Sequence, residues 1–243
     1  MDRKVFLRWA LAARWLVAAL AAAGAFGLVA AQVISQDPPA AKGGDHREDK
    51  SPEPSVKDGF SDAEAAEVMK AWLALGTPGE HHKRLDPLVG SWDIVVKSWN
   101  AGPEGPPTES KGTARTRWLY EGRYLLEEVK SEVVMPDPAS GKNQTIPFEG
   151  QGITGYDNYK NLYVGIWIDS LSTQIQISKG GMDPEGRTLT MYGDMDEPTL
   201  GVHGRTVKFV TRIEGKDKHT FAMYDLHAGE NYKVMEITYT RKK

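Results

Sequence analysis

After Gly90 the hydrophobic period of the chain changes from that of a helix to that of a strand. Trp92, Ile94 and Val96 alternate with Asp93 and Lys97, and Leu189 and Met191 alternate with Thr188 and Thr190. Val207, Phe209 and Ile213 alternate in the same way with Lys208 and Arg212. The last such segment sets Met235, Ile237, Tyr239 and Arg241 on one face and Glu236, Thr238 and Thr240 on the other. Turn chemistry separates these runs at Glu121-Gly122, Asp157-Asn158, Asp183-Pro184-Glu185-Gly186 and Glu214-Gly215-Lys216-Asp217. The pattern predicts an all-β domain of about ten antiparallel strands, an up-and-down barrel with a sandwich as the alternative.

Gly90, Trp92 and Arg241 favour the barrel. In a closed barrel the first and last strands are neighbours, so an Arg from the last can cover a Trp at the start of the first. Such a cation–π contact is worth roughly 0.5–2 kcal/mol. Arg241 has the parity of the apolar face of its strand, as this closure requires. Gly90 lets the chain turn into the strand and leaves room for the arginine stem.

The segment before Gly90 predicts one or two short helices. Ser61-Asp62-Ala63-Glu64 is a capping box, Ala65, Val68, Met69 and Trp72 follow at helical spacing, and Gly76 stops the run. Pro78 starts a second stretch containing Glu80, His81, His82, Leu85 and Leu88. Either helix is placed to plug one end of the barrel.

Arg3, Lys4, Arg8 and Arg14 precede an uncharged apolar run from Trp15 to Ala31. That order predicts a signal peptide or an uncleaved membrane anchor over residues 1–34, hence an exported protein, periplasmic, secreted or held at the inner membrane. Residues 35–60, with Pro38, Pro39, Pro52 and Pro54 among polar residues, read as a disordered linker. A helical lead-in at 61–77 and a barrel domain at 78–243 complete the division. The chain has no cysteine, which excludes disulfides and thiolate sites, and its net charge of −3 lacks a basic stripe for nucleic acid. The membrane is expected to be reached only through the N-terminal segment.

Glu80-His81, Leu85-Asp86-Pro87-Leu88-Val89-Gly90-Ser91-Trp92, Gly122-Arg123, Gly152, Gly155-Tyr156-Asp157-Asn158, Trp167-Ile168-Asp169-Ser170 and Ile237-Thr238-Tyr239-Thr240-Arg241 form a combined pattern. It resembles the bacterial domain of unknown function family fifteen-seventy-nine, from about Pro78 to the end of the chain. At the level of fold this looks like the calycins: lipocalins, fatty-acid-binding proteins and haem-binding nitrobindins. The family brings no activity with it; the closed-barrel pattern itself points to a barrel that holds a small, largely apolar molecule, or to one filled by its own side chains and serving as a protein-interaction module.

Ile94, Val96, Leu189, Met191, Val207, Phe209, Phe221, Met235, Ile237 and Tyr239 are the expected lining, with Met191, Phe209, Phe221, Met235 and Tyr239 as candidate ligand contacts. His219 keeps phase with Phe221 and Met223 and is either a candidate haem ligand of the nitrobindin type or a strand-end histidine satisfied by water. Arg115 and Arg117 share a strand face. They are either interior anchors for a carboxylate or part of a solvated face opposite Ala114, Thr116 and Trp118. On the segment from Leu162 to Asp169 the aliphatics are read as packing inward, leaving Tyr163 and Trp167 for a partner or for cross-strand pairing.

Metal binding has little support. Adjacent His81 and His82 diverge by about 100° on a helix, and Asp194, Asp196 and Glu197 lack the pattern of a calcium loop. There is no nucleophile elbow, phosphate loop or dinucleotide fingerprint, and Glu127 and Glu128 point to opposite faces. Nothing points to catalysis.

Overall fold

The computed structural model describes residues 61–99, 104–137, 140–197 and 201–243. The leader at 1–34 and the linker at 35–60 lie outside the described residues. Among the described residues no helix is long and apolar enough to cross a membrane.

The chain divides into two compact units, one ending at Leu75 and the other running from Gly76 to the C-terminus. The described part of the first is helix α1, Asp62–Leu75. Its capping box forms as the sequence predicts. The Ser61 N–H donates to Glu64 Oε2 at 2.9 Å, and the Glu64 N–H reaches back to Ser61 Oγ at 3.4 Å.

The second unit begins with the short helix α2, Glu80–Lys83, and a 3-10 turn, Asp86–Leu88. Ten strands follow: β1 Gly90–Ser98, β2 Thr108–Leu119, β3 Tyr124–Pro136, β4 Asn143–Asp157, β5 Leu162–Asp169, β6 Gln176–Met182, β7 Thr188–Glu197, β8 Val202–Ile213, β9 Lys218–Asp225 and β10 Lys233–Arg241. Each pairs antiparallel with the next, and β1 pairs with β10, so the sheet is a closed barrel without an edge. Closure rather than a sandwich follows from that last pairing.

Closure sets Trp92 opposite Arg241. The guanidinium lies 4.1 Å from the indole centre. It also donates to the carbonyls of Lys216 at 2.6 Å, Val89 at 2.8 Å and Pro87 at 3.1 Å. Gly90, at φ 146°, is tolerated in this conformation because it has no Cβ, and a Cβ there would collide with Arg241 Nη1.

The α2 segment seals this end. Leu85 is fully buried and packs with Leu125, Tyr163, Leu189 and Met191. Polar tips on the surrounding aromatics fasten it: Trp92 Nε1 donates to the Leu88 carbonyl at 3.1 Å, Trp118 Nε1 to Asp86 Oδ1 at 3.0 Å, and the Tyr163 hydroxyl to the His81 carbonyl at 2.9 Å. The second of the predicted helical stretches is therefore the plug. His82 caps it, accepting the Gly79 N–H on Nδ1 at 3.1 Å. His81 stacks on Tyr156 at 4.2 Å.

Candidate functional site

The register fixes which side chains face the lumen. From the Trp92–Arg241 pair the inward set runs through Ile94 and Val96 on β1 and Ala114 and Thr116 on β2. It continues through Glu127 and Val129 on β3, and Gly150, Gly152 and Thr154 on β4. On the far wall it includes Trp167, Ser178, Met191, Phe209, Phe221 and Ile237. All ten residues expected to line the barrel have this parity.

The lumen is unevenly filled. Near the plug, Trp92, Ile94, Leu125, Tyr163, Leu189 and Tyr239 are buried. Toward the other end Val96, Phe148, Trp167, Phe221 and Ile237 also point inward, yet they keep accessible surface. These side chains pack against the buried cluster of Trp92, Ile94, Ala114, Val129 and Tyr239 and stay partly exposed in the half of the barrel away from the plug. Glycines on the inner wall make the room. A Cβ at Gly150 would enter the Trp167 ring, and one at Gly152 would come within 3.2 Å of it, so the indole lies flat along β4. Trp167 Nε1 donates to Asp169 Oδ2 at 3.1 Å, which holds the ring there.

One pair of polar groups with inward parity lies beside this buried cluster. Glu127 hydrogen-bonds the Tyr239 hydroxyl. Burial raises the Glu127 carboxyl above its ordinary range, against the opposing effect of that bond. Burial, the Glu127 charge and the shared bond push the Tyr239 phenol well above 10. Glu127 is partly exposed, whereas Tyr239 is only 4 % exposed. The pair joins Thr116, Thr154 and Ser178 among the polar groups of the inner wall.

His219 lies behind this pair. It stacks on Tyr239 with ring centres 4.1 Å apart and meets the Trp92 ring edge-on at 4.4 Å. Burial, helped by the Arg241 charge, lowers its pKa to about 3, so the imidazole is neutral. Its Nδ1 is buried without a hydrogen-bond partner. The residue is 5 % exposed, and axial ligation would need a ring nitrogen facing space for a porphyrin. The haem-ligand role of His219 does not fit this packing, nor does the reading of a solvated strand end.

Arg115 and Arg117 require a correction as candidate ligand contacts. Their strand neighbours Ala114 and Thr116 turn inward and are buried, which puts both arginines on the exposed outer face. Arg117 there approaches Glu128 at 3.9 Å. Met191 and Tyr239 lie buried in the inner wall, and Phe209, Phe221 and Met235 line it partly exposed. The β5 reading is also corrected. Tyr163 and Trp167 face the lumen, while Ile166 and Ile168 are 40 % and 46 % exposed outside, because the large rings fill space that β4 glycines vacate. Among the described residues no cluster of three or more acidic or histidine side chains could hold a metal.

Glu127 is the residue that sequence reasoning missed. Its signal was a lone acid in phase with Leu125 and Val129, on the inward side of β3.

A family model described as "Protein of unknown function (DUF1579)" matches residues 77–241, and the chain belongs to this family. No curated protein matches. Among solved structures, Rv2717c from M. tuberculosis is 14 % identical over 69 % of this chain and 100 % of its own, with a TM-score of 0.46. A de novo designed fluorescence-activating β-barrel is 10 % identical over 63 % of this chain and 93 % of its own, at TM-score 0.31. A redesigned β-barrel bound to DFHBI is 12 % identical over 64 % and 99 %, at TM-score 0.29.

Proposed function

We propose that this protein binds a small, largely apolar molecule in the half of its barrel away from the plug and works as an exported carrier or sensor rather than as a catalyst. The observation that carries this reading is the accessible surface kept by Val96, Phe148, Trp167, Phe221 and Ile237 on the inward face of a closed sheet. A solid interaction module would bury those side chains against one another. Leaving apolar surface in contact with lumen water costs about 25 cal/mol per Å2, a cost that a fitting ligand removes. Export rests on the basic start and apolar run of residues 1–34, which sequencing the N-terminus of protein recovered from fractionated cells tests.

Native mass spectrometry of the full chain, purified from its own source, tests the binding. A bound mass released on denaturation is the expected result. A bare mass that stays bare after exposure to a lipid extract sinks the reading. Haemin tests the other ligand class: the packing of His219 predicts no sharp Soret band.

A further inference from the structure

We propose that the outer face of strands β3–β6 joins two copies of this chain, across a two-fold axis that runs parallel to the strands between β4 and β5.

This face is apolar where the outer wall of a barrel is ordinarily polar. The register sets Leu126, Ile153, Ile166 and Ile177 in one unbroken row across four strands. Ile168 stands two residues further along β5, and Ile175, just before β6, keeps the parity of Ile177. The five isoleucines are between 39 % and 66 % exposed. They leave an apolar strip of roughly 500 Å2, toward the upper end of what a monomer ordinarily leaves to water. Isoleucine is stiff at χ1, so covering the strip costs little side-chain entropy.

The charges on either side of the strip favour a second copy as its cover. Arg117 pairs with Leu126 at one end of the row, and Asp194 follows the Gly193–Ser178 pair beside Ile177 at the other. Arg115 and Arg117 stand against Glu128 on the β2–β3 side, a net positive flank. Asp194 and Asp196 stand against Lys179 on the β6–β7 side, a net negative flank. An axis along the strands, between β4 and β5, exchanges the two flanks. Ile153 then faces the partner's Ile166, Leu126 faces the partner's Ile177, and each positive flank lies on the side of a negative one. An axis across the strands would set like flanks together. Because a barrel wall is convex, the strands beside the axis make the contact. The flanks act at longer range and set orientation more than affinity. A contact this small stands at the weak end of interface sizes, so dimerisation is expected at about micromolar concentrations.

Sedimentation velocity of the full chain, from about 1 to 200 µM, tests the proposal, and dimer is expected to dominate at the upper end. Ile166→Lys places a charge beside the axis. It should weaken self-association by about a hundredfold or more with an unchanged circular dichroism spectrum. Ile177→Lys, at a position 51 % exposed, repeats the test. Arg117→Asp should weaken association by about threefold, and adding Asp194→Arg should restore it. The chain has no cysteine, so single introduced cysteines report the geometry. Gln151→Cys, beside the axis on β4, should be linked between copies by a bismaleimide spanning about 10 Å, the spacing of packed sheets. Thr240→Cys, on the outer face of β10, should not be linked. A chain that stays monomeric throughout overturns the proposal, even where another protein takes the face. Self-association that survives Ile166→Lys, as a contact through the N-terminal segment would, also overturns it. Linking at Thr240→Cys in place of Gln151→Cys overturns the choice of face, and a double exchange that leaves association weakened overturns the axis.

Discussion

The plugged end of the barrel and its opposite half are built from the same residue types put to opposite use. At the plugged end Trp92, Trp118 and Tyr163 turn their rings onto the plug, and each polar tip donates to a group on the segment from His81 to Leu88. In the opposite half Trp167 and Phe148 run nearly parallel, 16° apart with centres 6.4 Å apart, and Trp167 lies back against glycines. Aromatics that knit elements together specify the fold. Aromatics pressed against a wall leave volume and a smooth apolar surface. The comparison separates a half that holds the barrel shut from a half that keeps apolar surface accessible.

The comparison breaks first at Trp92. Trp92→Ala removes a buried ring, the seat of Arg241 and the bond to Leu88, and is expected to destabilise the protein by about 3–5 kcal/mol. Urea denaturation measures it. A loss below about 1 kcal/mol would mean that closure does not depend on this contact.

Gly150→Val is the corresponding probe of the half away from the plug. The new side chain must displace the Trp167 ring from the wall into the lumen. Ligand affinity should fall about tenfold or more while stability changes by less than in Trp92→Ala. Unchanged Trp emission and unchanged affinity would show that the indole does not border the ligand.

His219 and Glu127, on either side of Tyr239, should titrate in opposite directions. The folded pKa of His219, about 3, lies below the ordinary 6.5, so the stability it contributes is complete above that value and lost as pH falls toward 3. His219→Phe should remove about 2 kcal/mol of the stability lost between about pH 7 and pH 5. Glu127 is raised when folded, so its contribution runs the other way: present in acid, and lost as pH climbs from the ordinary carboxylate range through the folded value. Glu127→Gln should flatten that alkaline-going loss. Identical pH profiles for the variants and the wild type would contradict the burial of these groups.

The smallest effect is expected outside the wall. Arg115→Ala and Arg117→Ala alter exposed side chains, and both stability and ligand binding should stay within about 0.5 kcal/mol of wild type. A large loss of affinity would return these arginines to the site.

What could be read in advance divides along a physical line. Strand parity, the turn signals, the capping box at Ser61 and the likelihood of closure implied by Trp92 and Arg241 are local or nearest-neighbour properties. A period of two or an N-cap motif is therefore enough to predict them. The candidate lining followed from the same parity. Parity alone left the faces of β5 ambiguous, because aliphatics and aromatics are both apolar and only the glycines of β4 decide which side has room for a ring. The Arg115 and Arg117 face was left open for a similar reason: a charged row is inside or outside according to what faces it.

By itself, the sequence determined the ten-strand pattern, the residues available to close it and the absence of cysteine chemistry. The tertiary structure alone decided that Glu127 meets Tyr239 and that His219 is sealed between Tyr239 and Trp92. Glu127 and Tyr239, like Trp92 and His219, stand more than a hundred residues apart in the chain, and the burial that shifts their titration exists only once the barrel has closed.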